Sequence, residues 1–116
     1  MVDSPLLTKS KAFALEIIRI CNEIKRSQKE SILTNQLVRS GTSIDANIRE
    51  AFYAHSKADF IAKLQIALKE CSESEYWLEL LFDTNSLTEA ELKDFRIRCI
   101  ELRRMLVSSV TTLKSK

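Results

Sequence analysis

Residues 36–50 read QLVRSGTSIDANIRE. Leu33, Leu37, Ser40, Ile44, Asn47 and Ala51, in and around this stretch, recur at alternating steps of four and three. That spacing is a heptad seam on one face of a helix. Taken alone, Ser40, Gly41, Thr42 and Ser43 read as a loop. Yet the seam keeps its phase on both sides of Gly41, whereas an inserted turn would break it. The spacing therefore predicts a continuous helix that accepts ~1 kcal/mol for the glycine, with small side chains that let another backbone approach. Ser40 and Asn47 are the two polar members of the seam. Facing inward, each must find a hydrogen-bond partner, so they are expected to fix register, meet a second subunit or serve a site.

Outward from this stretch the chain reads as all-α. A length of 116 residues suits one domain, and such a domain buries roughly 65% of its unfolded surface. One glycine and one proline leave almost no turn vocabulary, while 45% hydrophobic and 29% charged residues match a helical bundle. The opening MVDSPLLTKSK lacks the apolar core of a signal peptide, and no stretch reaches the ~18 apolar residues of a membrane span, so a cytoplasmic location without a membrane partner is expected. Cys21, Cys71 and Cys99 are far apart and without CxxC spacing, which predicts buried, reduced thiols rather than disulfides or structural zinc.

Four helices are expected, over residues 5–27, 31–54, 56–83 and 88–114. Ser4 caps the first, with Pro5 in its first turn, and Leu7, Ala14, Ile17, Cys21 and Ile24 form its seam. Phe13, Ile18 and Ile20 widen that seam beyond one face, which calls for a partner subunit as cover. The third helix opens at Ser56 with Asp59 three residues on, and buries Phe60, Leu64, Ala67, Cys71, Ser74, Leu78 and Leu81. Thr88 and Glu91 start the fourth, whose seam is Leu92, Phe95, Cys99, Leu102, Leu106, Ser109 and Leu113. Short connections around His55 and around residues 84–87 make successive helices antiparallel, giving an up-down-up-down four-helix bundle in a single domain spanning residues 1–116.

Net charge is +2 over residues 1–30, 0 over 31–55, −3 over 56–85 and +3 over 86–116. With the first and last helices side by side, Lys9, Lys11, Arg19, Lys25, Arg26, Arg96, Arg98, Arg103, Arg104 and Lys114 are expected to share one broad region. Lys25, Arg26, Arg96, Arg103 and Arg104 are the candidates for contact with nucleic acid. The acidic third helix equally suits subunit packing, acidic edge against basic edge.

Several kinds of chemistry are missing. A ferritin-like metal centre needs paired Glu-x-x-His motifs, and the chain has a single histidine, His55, in a predicted turn. Glu70, Glu73, Glu75 and Glu79 are carboxylate-rich without histidine, which fits solvated charge and ion pairing. One glycine excludes a phosphate loop, and the cysteines lie on mid-helix seams away from a base. No catalytic residue, cofactor, metal or small-molecule substrate is expected. Arg39 is the charged residue with a specific expectation. A turn near His55 places it close to Cys71 and within a turn of Glu70 and Glu73, where an Arg–carboxylate pair is expected, with a solvent-exposed Arg39 as the alternative.

The run from Gln36 to Glu50, followed by Ser56, Asp59, Phe60, Leu64, Ile66, Ala67, Glu73 and Leu78, resembles the four-helix-bundle family first described from proteins encoded in intervening sequences of bacterial 23S ribosomal RNA genes. AFALEII at residues 12–18 and LTEAEL at residues 87–92 extend the resemblance over nearly the whole chain, with Ala51 standing where many members carry glycine. The resemblance implies a homopentameric ring. It extends to the accessory variability proteins of diversity-generating retroelements, which bind a reverse transcriptase and nucleic acid through a basic surface. The function expected is a non-enzymatic, ring-forming scaffold that binds RNA or a ribonucleoprotein, with a protein–protein adaptor as the alternative. Arg39, Ser40, Ser43, Asn47, Glu50 and Glu73 are its candidate structural or interface residues.

Overall fold

The computed structural model describes residues 4–115 as four helices: α1 Pro5–Gln28, α2 Ile32–Ala51, α3 Lys57–Asp83 and α4 Glu89–Lys114. The fold is all-α, with no strand among the described residues, and none of these helices is long and apolar enough to cross a membrane. The ends follow from local chemistry. Ser4, Ser56 and Thr88 each accept a hydrogen bond from the amide three residues on, and Glu91 returns one to the Thr88 amide at 2.9 Å, closing a capping box. With so little glycine, two non-glycine residues supply the left-handed turns. Lys29 ends α1 at φ 59° and Asn85 turns the α3–α4 connection at φ 66°.

The start of α2 differs from expectation. The side chain of Ser31 makes no capping bond. Glu30 does that work instead, its carboxylate accepting from the amides of Leu33 and Thr34, both at 2.9 Å. Partial burial raises the Glu30 pKa, but these bonds to the charged form outweigh it and the net shift is downward. The far end of α2 is also a correction, because the helix stops at Ala51 rather than running to residue 54. Phe52 and Tyr53 form a turn that lets Ser56 start α3.

The pairings between helices run in opposite senses. Arg39 of α2 reaches Glu70 and Glu73 of α3, while Glu50, further along α2, reaches Lys63, earlier in α3. Ser10 of α1 meets Asp45 and Lys25 meets Asn35, and Glu75 meets Arg103 while Glu79 meets Arg96. The core is a single cluster from all four helices, in which Ile17, Cys21, Leu37, Ile44, Ile48, Leu64, Cys71, Leu78, Cys99 and Leu106 have no exposed surface. Packing is uneven. The α2–α3 contact is the most extensive and the α1–α4 contact the slightest, the latter marked by the edge-to-face pair Phe13–Phe95 at 6.2 Å.

The seam of α2 lies to one side of its expected line. Leu37, Ser40, Ile44 and Ala51 are buried, but so are Gly41 and Ile48, whereas Asn47 and Leu33 are only half-buried. Ile48, not Asn47, is the core residue of that turn. In α4, Val110 is buried while Ser109 and Leu113 are half-buried. Gly41 brings α2 close to α1: a Cβ built there would lie 3.0 Å from Cγ2 and 3.1 Å from Cγ1 of Ile17.

All three cysteines are free and buried. Burial pushes the Cys21 and Cys71 thiols up to about 12 and raises that of Cys99 as well. The thiolate is the reactive form, so a three-unit rise cuts its population roughly a thousandfold. Iodoacetamide at pH 8 is expected to leave all three thiols intact in the folded protein and to label all three in guanidinium; labelling under native conditions would contradict their burial.

Candidate interaction surfaces

A polar band runs between α2 and α3. At its centre, Ser40 Oγ and Ser74 Oγ share a hydrogen bond of 2.8 Å with neither residue exposed. Each hydroxyl supplies the partner that burial denies it from water. Removing Ser40 Oγ strands Ser74, removing Ser74 Oγ leaves Ser40 only its longer bond to the Leu37 carbonyl at 3.4 Å, and removing both lifts the requirement. Ser40→Ala or Ser74→Ala is therefore expected to cost about 1–2 kcal/mol, and the double substitution to cost less than their sum, on urea denaturation. Additive losses would mean the two hydroxyls are satisfied separately.

Beside this pair Arg39 joins two carboxylates. Its Nη1 lies 3.4 Å from Glu70 Oε2, its Nη2 pairs with Glu73, and its Nε donates to Gln36 at 3.2 Å. Glu73 also accepts from the Trp77 indole at 3.2 Å, and Trp77 is tilted against the ring of Tyr76. Glu70 is almost fully buried, so the guanidinium offsets the desolvation of a charge that would otherwise be unfavourable there. Asn47 turns back on its own helix, donating to the Ser43 carbonyl at 2.8 Å and its hydroxyl at 3.0 Å. Its amide is satisfied without a second helix, so the inward, register-fixing position expected of it belongs elsewhere. Glu50 is exposed and pairs with Lys63 at 3.6 Å.

A second polar link, between α1 and α2, involves none of the candidate residues expected from the sequence. The buried Ser10 donates to Asp45 at 2.8 Å, and Asp45 also accepts from Arg49 at 3.1 Å. Two clues to it stand in the sequence. Ser10 falls on the seam between Leu7 and Ala14, and Asp45 and Arg49 have the i,i+4 spacing of a helical ion pair.

Half of the ten basic residues expected to share a surface on α1 and α4 are held by acids instead. Arg96 and Arg103 turn toward α3, where they meet Glu79 and Glu75. Lys25 turns toward α2 and bonds to Asn35. Lys9 pairs with Glu101 at 3.1 Å, and Arg19 and Arg98 with acids of their own helices. Arg26 and Arg104 make no ion pair among the described residues. They lie at opposite ends of the bundle, on the order of 30 Å apart at 1.5 Å of rise per residue.

Among their charged residues, α1 and α4 also expose apolar side chains. Leu15 is 50% exposed and Ile18 37% on α1; Ile97 is 58%, Ile100 40% and Val107 48% on α4. A helix turns about 100° per residue. That places Leu15 and Ile18 on the outer side of α1 next to α2, the side from which Lys25 reaches Asn35. By the same count Ile100 and Val107 fall on the outer side of α4 next to α3, the side from which Arg96 and Arg103 reach their partners. The two stripes thus lie on opposite faces. Their residues are visible in the sequence as hydrophobes out of phase with the seams, but only the helix neighbours reveal that they point apart.

These features define an all-α protein of four helices whose conspicuous exposed groups are apolar stripes. The chain belongs to the 23S rRNA-intervening sequence protein family, whose profile matches residues 3–108. It is similar, at 45% identity, to a crystallised Bacteroides thetaiotaomicron protein of unknown function from the S23 ribosomal protein family. The TM-score is 0.89, and the match covers 90% of this chain and 97% of that one. No curated protein matches.

Proposed function

We propose that the protein is a non-catalytic cytoplasmic scaffold: a single-domain, antiparallel up-down-up-down bundle whose copies pack head to tail into a ring, the pentamer that the family resemblance implies. The observation that carries this is the pair of apolar stripes on opposite faces, Leu15 and Ile18 on one and Ile100 and Val107 on the other. A two-fold dimer uses one self-complementary patch, whereas a closed ring uses two different patches on each copy. The opposed pairings along α2–α3 and α3–α4 support the antiparallel topology. Light scattering coupled to size exclusion is expected to show a discrete oligomer of five chains. A stable monomer at micromolar concentration would overturn the ring.

RNA or a ribonucleoprotein is the ligand that family membership suggests, and Arg26 and Arg104, with Lys11 and Lys114, are cations of α1 and α4 outside the ion pairs of the described residues. Binding through phosphates releases counterions and weakens steeply with salt. Binding of structured RNA at two ionic strengths, repeated with Arg26 and Arg104 changed to alanine, tests this. A steep salt dependence lost in the variant supports RNA; no binding at low salt leaves the protein adaptor.

A further inference from the structure

An open cleft of about 650 Å³ lies where the first turn of α1 meets the last turns of α4. Pro5, Leu6, Phe52, Phe60, Leu64, Met105 and Leu113 give it an apolar lining, and Ser4, Ser108, Ser109 and Thr112 add hydroxyls. Among the described residues, Arg104 is the one charged side chain in that lining and no carboxylate joins it. Glu101, the acid one turn before Arg104, is already held by Lys9. Arg104 and Ser108 stand one turn apart on α4, so a guanidinium and a hydroxyl flank the same rim. The volume falls within the ~300–1,000 Å³ range of small-molecule sites, and such sites pair an apolar body with a few polar groups that set orientation.

We propose that this cleft binds a small amphiphile with a single carboxylate, of the fatty-acid class. The alkyl chain lies against Leu6, Phe60, Leu64, Met105 and Leu113, and the carboxylate is met by Arg104 and Ser108. An apolar chain without a charge would leave Arg104 unused, and a cationic head would be repelled by it. The inference rests on the cleft within one protomer and needs neither the ring nor RNA, although Arg104 is shared with the RNA reading and, with Ser108, borders Ile100 and Val107.

Laurate, kept below its micelle-forming concentration, is the probe, titrated by calorimetry and by proton–nitrogen NMR. Saturable binding of one laurate per chain is expected, with amide shifts concentrated at Leu6 and at residues 60–64 and 104–113. Arg104→Gln is expected to weaken it at least tenfold with unchanged circular dichroism, and dodecyltrimethylammonium is expected not to bind. Leu64→Ala tests the floor, and Met105→Ala, at a half-buried position, gives a second variant should the first unfold. Absence of saturable laurate binding would overturn the proposal. So would binding indifferent to Arg104→Gln, or binding to phosphatidylglycerol vesicles without binding of monomeric laurate. The oligomeric state, measured by scattering in the same samples, reports separately on the scaffold.

Discussion

Gly41→Val is expected to destabilise the protein by about 2–3 kcal/mol, on the order of 10 °C in melting temperature for a chain of this size. A Cβ at this position would meet the branched side chain of Ile17 at 3.0 and 3.1 Å. Ile17 has no exposed surface into which it could withdraw, and a β-branched residue adds a second carbon to the same collision. Gly41→Ala is the informative intermediate. It gains up to ~1 kcal/mol of helix propensity and loses a comparable amount to crowding, so it should fall near neutrality. Ile17→Ala alone opens a cavity and costs about 2–5 kcal/mol. Combined with Gly41→Val it should cost clearly less than the sum, because the new methyl groups enter the space vacated. Urea denaturation of the four proteins closes this cycle. A valine variant as stable as the parent would mean that α1 and α2 sit further apart here.

The second large effect is on assembly. Ile100→Glu with Val107→Glu should reduce the oligomer to single chains of 13.3 kDa while leaving helical content intact, since both side chains are substantially exposed in the protomer. Leu15→Glu with Ile18→Glu should do the same from the other face. Mixing the two double variants decides how copies meet. In a head-to-tail contact each variant keeps one good face, so the mixture forms a one-to-one dimer and stops there. A self-complementary contact predicts no such rescue for a variant whose only patch is spoiled. An intact ring in either double variant would exclude its stripe from the interface.

Most of the fold could be read from periodicity and end signals. Thr88 and Glu91 are three residues apart and bond only to each other's backbone, so their box needs no tertiary information. The α2 start was less legible because no serine or threonine caps it through its side chain, and the glutamate before Ser31 takes two amides instead. Seam errors share a cause. The buried band of α2 is wide enough to hold both Ser40 and Gly41, so a strict four-three count can run along its edge and choose Asn47 over Ile48. In α4 the helix drifts from a 3.5-residue repeat by ~20° per heptad, which brings Val110 inward and turns Ser109 aside. For the candidate surfaces, the pairing of Arg39 with Glu70 and Glu73 followed from one short connection. The fate of Arg96 and Arg103 did not, because it depends on how α4 lies against α3, and their acids stand a whole helix away in sequence.

The slight contact between α1 and α4 bears on the order in which the chain folds. Residues of α2 and α3 meet across a connection of a few residues, so their packing closes at little entropic cost and is the most extensive in the molecule. Joining α1 to α4 closes almost the entire chain for the smallest reward. The α2–α3 hairpin is thus the natural nucleus, with α1 next and the Phe13–Phe95 seam last. Amide exchange should rank the same way, fastest along α4 and slowest at Leu37, Ile44, Cys71 and Leu78.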